Sequence, residues 1–185
     1  MFSDLARGDA PAMLRRFPNR PRRAAGARSE VSRVTLKVNI LVGTMTGTAE
    51  IVAEDVRDMM KEQGIEAELL LMDDLDAEIF KRPGIFLIST STYGQGDVPD
   101  NAMKLYGKLT AEKPSLKGVR YGVIALGDRA YNDTFTHGGV RFDAILTELG
   151  AVRVGEIFQH DASSDVVPED AGVEWAKGWL KLLGA

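Results

Sequence analysis

Cysteine is absent from the 185-residue chain, which excludes disulfide scaffolds, cysteine zinc sites, thiol nucleophiles and iron–sulfur ligation in one step. Only two histidines, His137 and His160, are present, so little remains for metal chemistry. Uninterrupted apolar runs stop at four residues, as in Ile85 to Ile88, far short of the roughly 20 that a membrane helix needs. What is there is ordinary for a folded domain: 44% apolar and 27% charged residues, enough to build a core, in a length that suits one domain with a little left over. These figures predict a soluble protein.

The formal net charge of −4 conceals an asymmetry. Residues 1–36 hold eight arginines against Asp4, Asp9 and Glu30, a net of +5, and carry Pro11, Pro18 and Pro21 with few large apolar residues after Phe17. Such a segment cannot offset its ordering entropy by burial, so it is expected to be a disordered basic extension. A dispensable tail, or a start placed too early with translation beginning near Val31, is favoured over an Arg-rich targeting peptide or a nucleic-acid tail. Residues 37–185 carry 24 acidic side chains against 15 basic ones, a net of −9. This acidic body is expected to repel nucleic acid and anionic membrane and to attract a partner with a basic face.

From Lys37 onward, short apolar runs alternate with helical patterns, the mark of a parallel sheet with crossover helices. Strands are expected at 38–42, 66–71, 85–91, 121–126 and 152–157. Val52, Val56, Met59 and Met60 fall at i, i+4, i+7 and i+8 and predict a helix over 48–63. Phe142, Ile145, Leu146 and Leu149 predict another, and further helices are expected over 99–109 and 168–183. The result is an α/β doubly wound domain with five strands and helices on both faces. In such sheets the ligand lies at the carboxyl ends of the strands, where strand order reverses.

Three loops there are informative. After strand one, Gly43-Thr44-Met45-Thr46-Gly47-Thr48-Ala49-Glu50 opens a helix with hydroxyls, glycines and free N–H groups, a composition suited to a phosphate. It has no Lys followed by Ser or Thr, against a nucleoside-triphosphate loop, and no Gly-x-Gly-x-x-Gly spacing; a plain helix cap fits it as well. After strand three, Ser91-Thr92-Tyr93-Gly94-Gln95-Gly96-Asp97 presents Tyr93 at the mouth of the site ahead of Gly94 and Gly96, which permit backbone conformations closed to other residues. After strand four, Leu126-Gly127-Asp128 leads to Tyr131 and Phe135. Each segment alone is compatible with an ordinary turn; together they describe a pocket for a phosphorylated planar ligand held between rings.

From about Val38 to the C-terminus the chain resembles the short-chain flavodoxins, in particular the MioC-type stand-alone flavodoxins and the FMN modules of diflavin reductases such as sulfite reductase. The resemblance rests on Thr44-Met45-Thr46-Gly47-Thr48-Ala49 as the phosphate loop. Ser91, Thr92, Tyr93, Gly94, Gly96 and Asp97 correspond to the second flavin loop, and Leu126, Gly127, Asp128, Tyr131 and Phe135 to the third. It implies strand order 2-1-3-4-5, FMN as cofactor with those residues as its binding site, and one-electron transfer between a reductase and redox acceptor proteins. A cytoplasmic monomer is expected. The chain departs from many members after Phe135, where Thr136 and His137 stand in place of Cys or Asn. An NAD(P)H:quinone-type oxidoreductase of the same fold is the alternative, although no nicotinamide or quinone pocket is legible. A phospho-receiver is rejected because Thr44 and Thr92 stand where its acidic residues belong. The two histidines read as ordinary surface residues, and Trp175 and Trp179 as packing residues.

Overall fold

The structure, a computed structural model, describes residues 36–185, so the expected basic extension lies outside the described residues except for Leu36. In chain order it contains β1 (Lys37–Gly43), α1 (Thr48–Glu62), β2 (Glu66–Leu71), β3 (Ile85–Thr90), α2 (Asp100–Glu112), β4 (Arg120–Gly127), α3 (His137–Glu148), β5 (Val152–Arg153), β6 (Phe158–Asp161) and α4 (Pro168–Leu183). All pairings are parallel and the sheet order is β2-β1-β3-β4-β5, with β6 also on β4. Strand order therefore reverses between β1 and β3, and the carboxyl ends of both open onto the same edge.

Both faces of the sheet are covered. Val38, Ile40, Val42, Leu87, Ile124 and Leu126 pack with α1 and α4, while Leu41, Phe86, Ile88, Tyr121, Val123 and Ala125 pack with α2 and α3. The alternation within β1 and β4 is the two-residue period of a pleated strand, and burial of all six residues of β3 accounts for its continuous apolar sequence. Trp179 fills the space above Gly122, where a Cβ would lie 2.6 Å from the indole, so a strand glycine marks a close approach. The packing role expected for the tryptophans follows: Trp179 is buried and stacks on Trp175 at 5.8 Å.

The strand expected over 152–157 is two short strands. β5 pairs with Arg120 and Tyr121, and β6 pairs with Ile124 to Gly127. Between them the Val154 carbonyl accepts the Trp179 indole N–H at 3.0 Å, and Gly155 takes a left-handed φ of 72°. The backbone is drawn toward the helix layer at that point and the ladder is interrupted. Only four residues separate the two strands, which leaves no room for a long insertion.

Candidate functional site

At the carboxyl edge of the sheet lies a cavity of about 690 Å³, bordered by Thr46, Thr48, the Ser91–Gly94 segment, Leu126–Asp128, Tyr131 and the segment following β6. All three loops singled out in the sequence meet there, because β1, β3 and β4 are adjacent and end at one level: Gly43 is in register with Thr90, and Thr90 with Ala125.

The backbone amides of the first loop are held by side-chain acceptors, one of them on α2. The Thr44 N–H donates to Asn101 Oδ1 at 2.8 Å, and the Thr44 hydroxyl accepts the Gly47 N–H at 2.9 Å. Gly47 is the N-cap of α1 at φ 90°, and no side chain caps that helix. The conformation requires glycine and leaves the first turn facing the cavity beside the Thr46 and Thr48 hydroxyls. Met45 is partly exposed, with its sulfur 3.4 Å from the Asp100 amide, and Ala49 is fully buried with its carbonyl accepting the Ser89 hydroxyl at 2.9 Å. Thr44, Gly47 and Ala49 thus shape the loop, while Thr46 and Thr48 face the cavity.

The second loop folds back through a bridge between Tyr93 and Asp97, with the Asp97 N–H donating to the Tyr93 carbonyl at 2.8 Å. Gly94 and Gly96 have φ of 52° and 91°, and a Cβ on Gly96 would meet the His137 ring. Asp97 does not border the cavity; its carboxylate pairs with Arg141 at 3.3 Å. The two loop hydroxyls differ. Thr92 donates to the Leu126 carbonyl and accepts the Gly138 N–H, both at 3.1 Å, whereas Ser91 Oγ is buried with no protein partner.

The third loop is a 3₁₀ turn over Arg129–Thr134, capped by the Asp128 carboxylate accepting the Ala130 N–H at 2.8 Å. Tyr131 and Tyr93, both bordering the cavity, are 68% and 50% exposed. Phe135 does not border the cavity, and its ring centroid lies 4.6 Å from the Arg129 guanidinium carbon. Thr136, which follows, is buried at a left-handed φ of 56°, its hydroxyl accepting Gln159 Nε2 at 2.6 Å.

The chemistry of this wall suits a phosphorylated, hydroxylated, flat ligand. The uncapped helix N-terminus and the Thr46 and Thr48 hydroxyls are donors suited to anionic oxygens, Ser91 Oγ is buried without a partner, and two exposed tyrosines border the same cavity. The cavity also has a wall that the sequence reading passed over: Thr134, His160, Ala162 and the Ser164–Pro168 segment. The last strand ends at the same edge as the others, with Leu126 in register with His160, so the strand-end rule applied to three loops extends to a fourth. His160 is 6% exposed, which corrects its reading as a surface residue.

The family model for flavodoxin matches residues 40–175. The chain belongs to the flavodoxin family. Protein MioC of Escherichia coli K12 is 37% identical over 149 residues, covering 79% of this chain and 97% of that protein. The sulfite reductase [NADPH] flavoprotein alpha-component of Bacillus subtilis is 32% identical over 164 residues, 88% of this chain and 26% of that longer protein. A solved structure of a cysteine-to-alanine mutant of flavodoxin from Pseudomonas aeruginosa superposes with a TM-score of 0.73 at 37% identity, covering 81% of this chain and all of the other. Flavodoxins are electron carriers that hold FMN at the β1/β3 switch point, the edge that this cavity occupies. No helix among the described residues is long and apolar enough to cross a membrane.

Proposed function

We propose that this flavodoxin binds one FMN with the residues of its three loops and works as a monomeric, cytoplasmic one-electron carrier between a flavoprotein reductase and redox acceptor proteins. The observation that carries the reading is that one cavity joins the uncapped N-terminus of α1 to two exposed tyrosines. FMN, when bound, supplies the redox chemistry, taking up and releasing electrons one at a time.

The chain's own residues do the rest. The first-turn amides of α1 and the Thr46 and Thr48 hydroxyls hold the phosphate near the half positive charge of the helix end. Ser91 Oγ is placed to pair with a hydroxyl of the ribityl chain, which removes a buried unsatisfied group. Tyr93 and Tyr131 cover the ring faces and exclude water. Gly94, at a left-handed φ of 52°, lets the chain turn back beside Tyr93, whose carbonyl is held by the Gly96 and Asp97 amides at 3.1 and 2.8 Å. No lysine or arginine stands in the phosphate loop, and although Asp97 pairs with Arg141 and Asp161 with Arg129, Asp128 and Asp165 border the cavity without an ion pair to a described basic side chain, so the site stays acidic. That sign disfavours added negative charge on the cofactor and steers a partner with a basic face toward the mouth.

Mass analysis of the cofactor released from the purified protein is expected to give FMN; FAD would overturn the reading. Thr46→Asp is expected to weaken FMN binding roughly 100-fold, because the new carboxylate faces the phosphate; an unchanged fluorescence titration would mean that the phosphate lies elsewhere. Sustained NAD(P)H oxidation by the protein alone would replace the carrier reading with that of a quinone-reductase-type enzyme.

A further inference from the structure

The carboxyl end of β1 is joined to the first turn of α2 by a seam of three successive residues, paired in reverse order. A Cβ on Gly43 would lie 2.7 Å from Thr90 Oγ1 and 3.2 Å from Ala102 Cβ, so a glycine there lets the helix settle against the strand end. The Thr44 N–H donates to Asn101 Oδ1 at 2.8 Å, and the Asp100 N–H donates to the Met45 sulfur at 3.4 Å.

Asn101 is the centre of this seam. It does not border the cavity, yet both ends of its amide are used: Oδ1 accepts from Thr44, and Nδ2 donates to the Val42 carbonyl at 3.3 Å and to the Asp73 carboxylate at 3.4 Å. Turned end for end, the amide would set its NH₂ against the Thr44 N–H, so the network admits one orientation. A single side chain on α2 therefore gathers the residues at the ends of β1 and β2. From Thr44 the contacts run on toward the cavity. The Thr44 hydroxyl accepts the Gly47 N–H at 2.9 Å, and Gly47, at φ 90°, is the N-cap of α1.

We propose that Asn101 is the positioning residue of the phosphate loop: it fixes Thr44 and, through Thr44 and Gly47, the direction of the uncapped first turn of α1, and so favours phosphorylated over unphosphorylated flavin. The inference rests on the FMN reading above. The Thr44 N–H is already taken by Asn101, so the donors left for a phosphate are the first-turn amides and the Thr46 and Thr48 hydroxyls. Holding their backbone in place before the ligand arrives removes an ordering cost from binding. Neither Tyr93 nor Tyr131 is hydrogen-bonded to Asn101, so the ring lies outside this chain of contacts.

The test compares the parent protein, Asn101→Leu and Asn101→Ser for binding of FMN and riboflavin by quenching of flavin fluorescence, and follows hydrogen exchange of the Thr44 and Gly47 amides by NMR in the apo-proteins. Leu is close to Asn in volume but has no amide; Ser, smaller and polar, carries the comparison if Leu disturbs folding. FMN affinity is expected to fall about tenfold in both variants and riboflavin affinity by less than about twofold, because only FMN has the phosphate. The Thr44 and Gly47 amides, which lie outside strand and helix, are expected to be protected in the parent and to exchange faster in the variants. Equal losses for FMN and riboflavin would make Asn101 a general packing residue and overturn the assignment. Open-loop exchange of the Thr44 amide in the parent apo-protein would overturn it whatever the variants do. A parent and variants that bind FMN equally well would sink the role of Asn101 alone, whereas failure of the parent to bind FMN would sink the cofactor reading itself.

Discussion

Tyr131 and Tyr93 stand exposed by about two-thirds and one-half at the mouth of a cavity, a disposition that leaves ring faces available for a planar ligand. Loss of either aromatic contact costs on the order of 1 kcal/mol beyond lost burial. Tyr131→Ala is therefore expected to weaken FMN binding about fivefold to tenfold. It should also raise the more negative of the two one-electron potentials by roughly tens of millivolts, since an electron-rich ring repels negative charge arriving on its neighbour. Tyr93→Ala should act in the same direction and also loosen the Tyr93–Asp97 bridge. Titration of affinity and both potentials in the two variants checks this; unaltered values in both would refute the stacked arrangement. Both tyrosines were legible in the sequence because they follow strands at fixed offsets. Thr136 was not. A β-branched residue at φ 56° contradicts local preference, and it is held there by the Gln159 amide and by the Gly139 and Val140 amides on its carbonyl.

Among the elements, the turn carrying Tyr131 is fastened to the segment after β6 by one carboxylate. Asp161 accepts the Arg129 N–H at 3.0 Å, the Ser163 N–H at 3.0 Å and the Ser163 hydroxyl at 2.8 Å, with the Arg129 side chain at 3.5 Å. The Arg129 amide above all, then the Ser163 donors and the Arg129 charge, hold the Asp161 carboxyl below the usual aspartate range. A lowered value in the folded state means stabilisation that is present above the ordinary aspartate pKa of about 3.9 and lost as pH falls through the folded-state value. Asp161→Asn is expected to lower the melting temperature by a few degrees at pH 7, with the difference from the parent shrinking below about pH 4. A difference that persists undiminished into strong acid would show that the ionised carboxylate is not the source. The same fastening ties the cavity walls that follow β4 and β6 to each other. The 3.6-residue period makes α1 and α3 legible in the sequence, but no periodicity marks a capping carboxylate that joins loops 32 residues apart.

For the whole molecule, the acidic body and the basic leading segment make separate predictions. Residues 1–33 carry neither core-forming composition nor a motif of the site, so their deletion is expected to leave the melting temperature within about two degrees and FMN affinity unchanged. A larger fall in melting temperature would show that the segment packs on the body. The parallel sheet, its helices and three of the loops at its carboxyl edge were determined by the sequence alone. Two-residue and 3.6-residue periods, and Thr–Gly or Tyr–Gly spacings after strands, are properties of adjacent residues that survive without a third dimension. The tertiary structure alone decided which polar groups are used up and which remain. It spent Thr92 on Leu126 and Gly138, left Ser91 without a partner, paired Asp97 with Arg141, broke the fifth strand where Trp179 takes the Val154 carbonyl, and carried His160 into the cavity wall. Each of these depends on groups far apart in the chain meeting within hydrogen-bond or stacking distance, and only closure of the packed sheet and helix layers sets those distances.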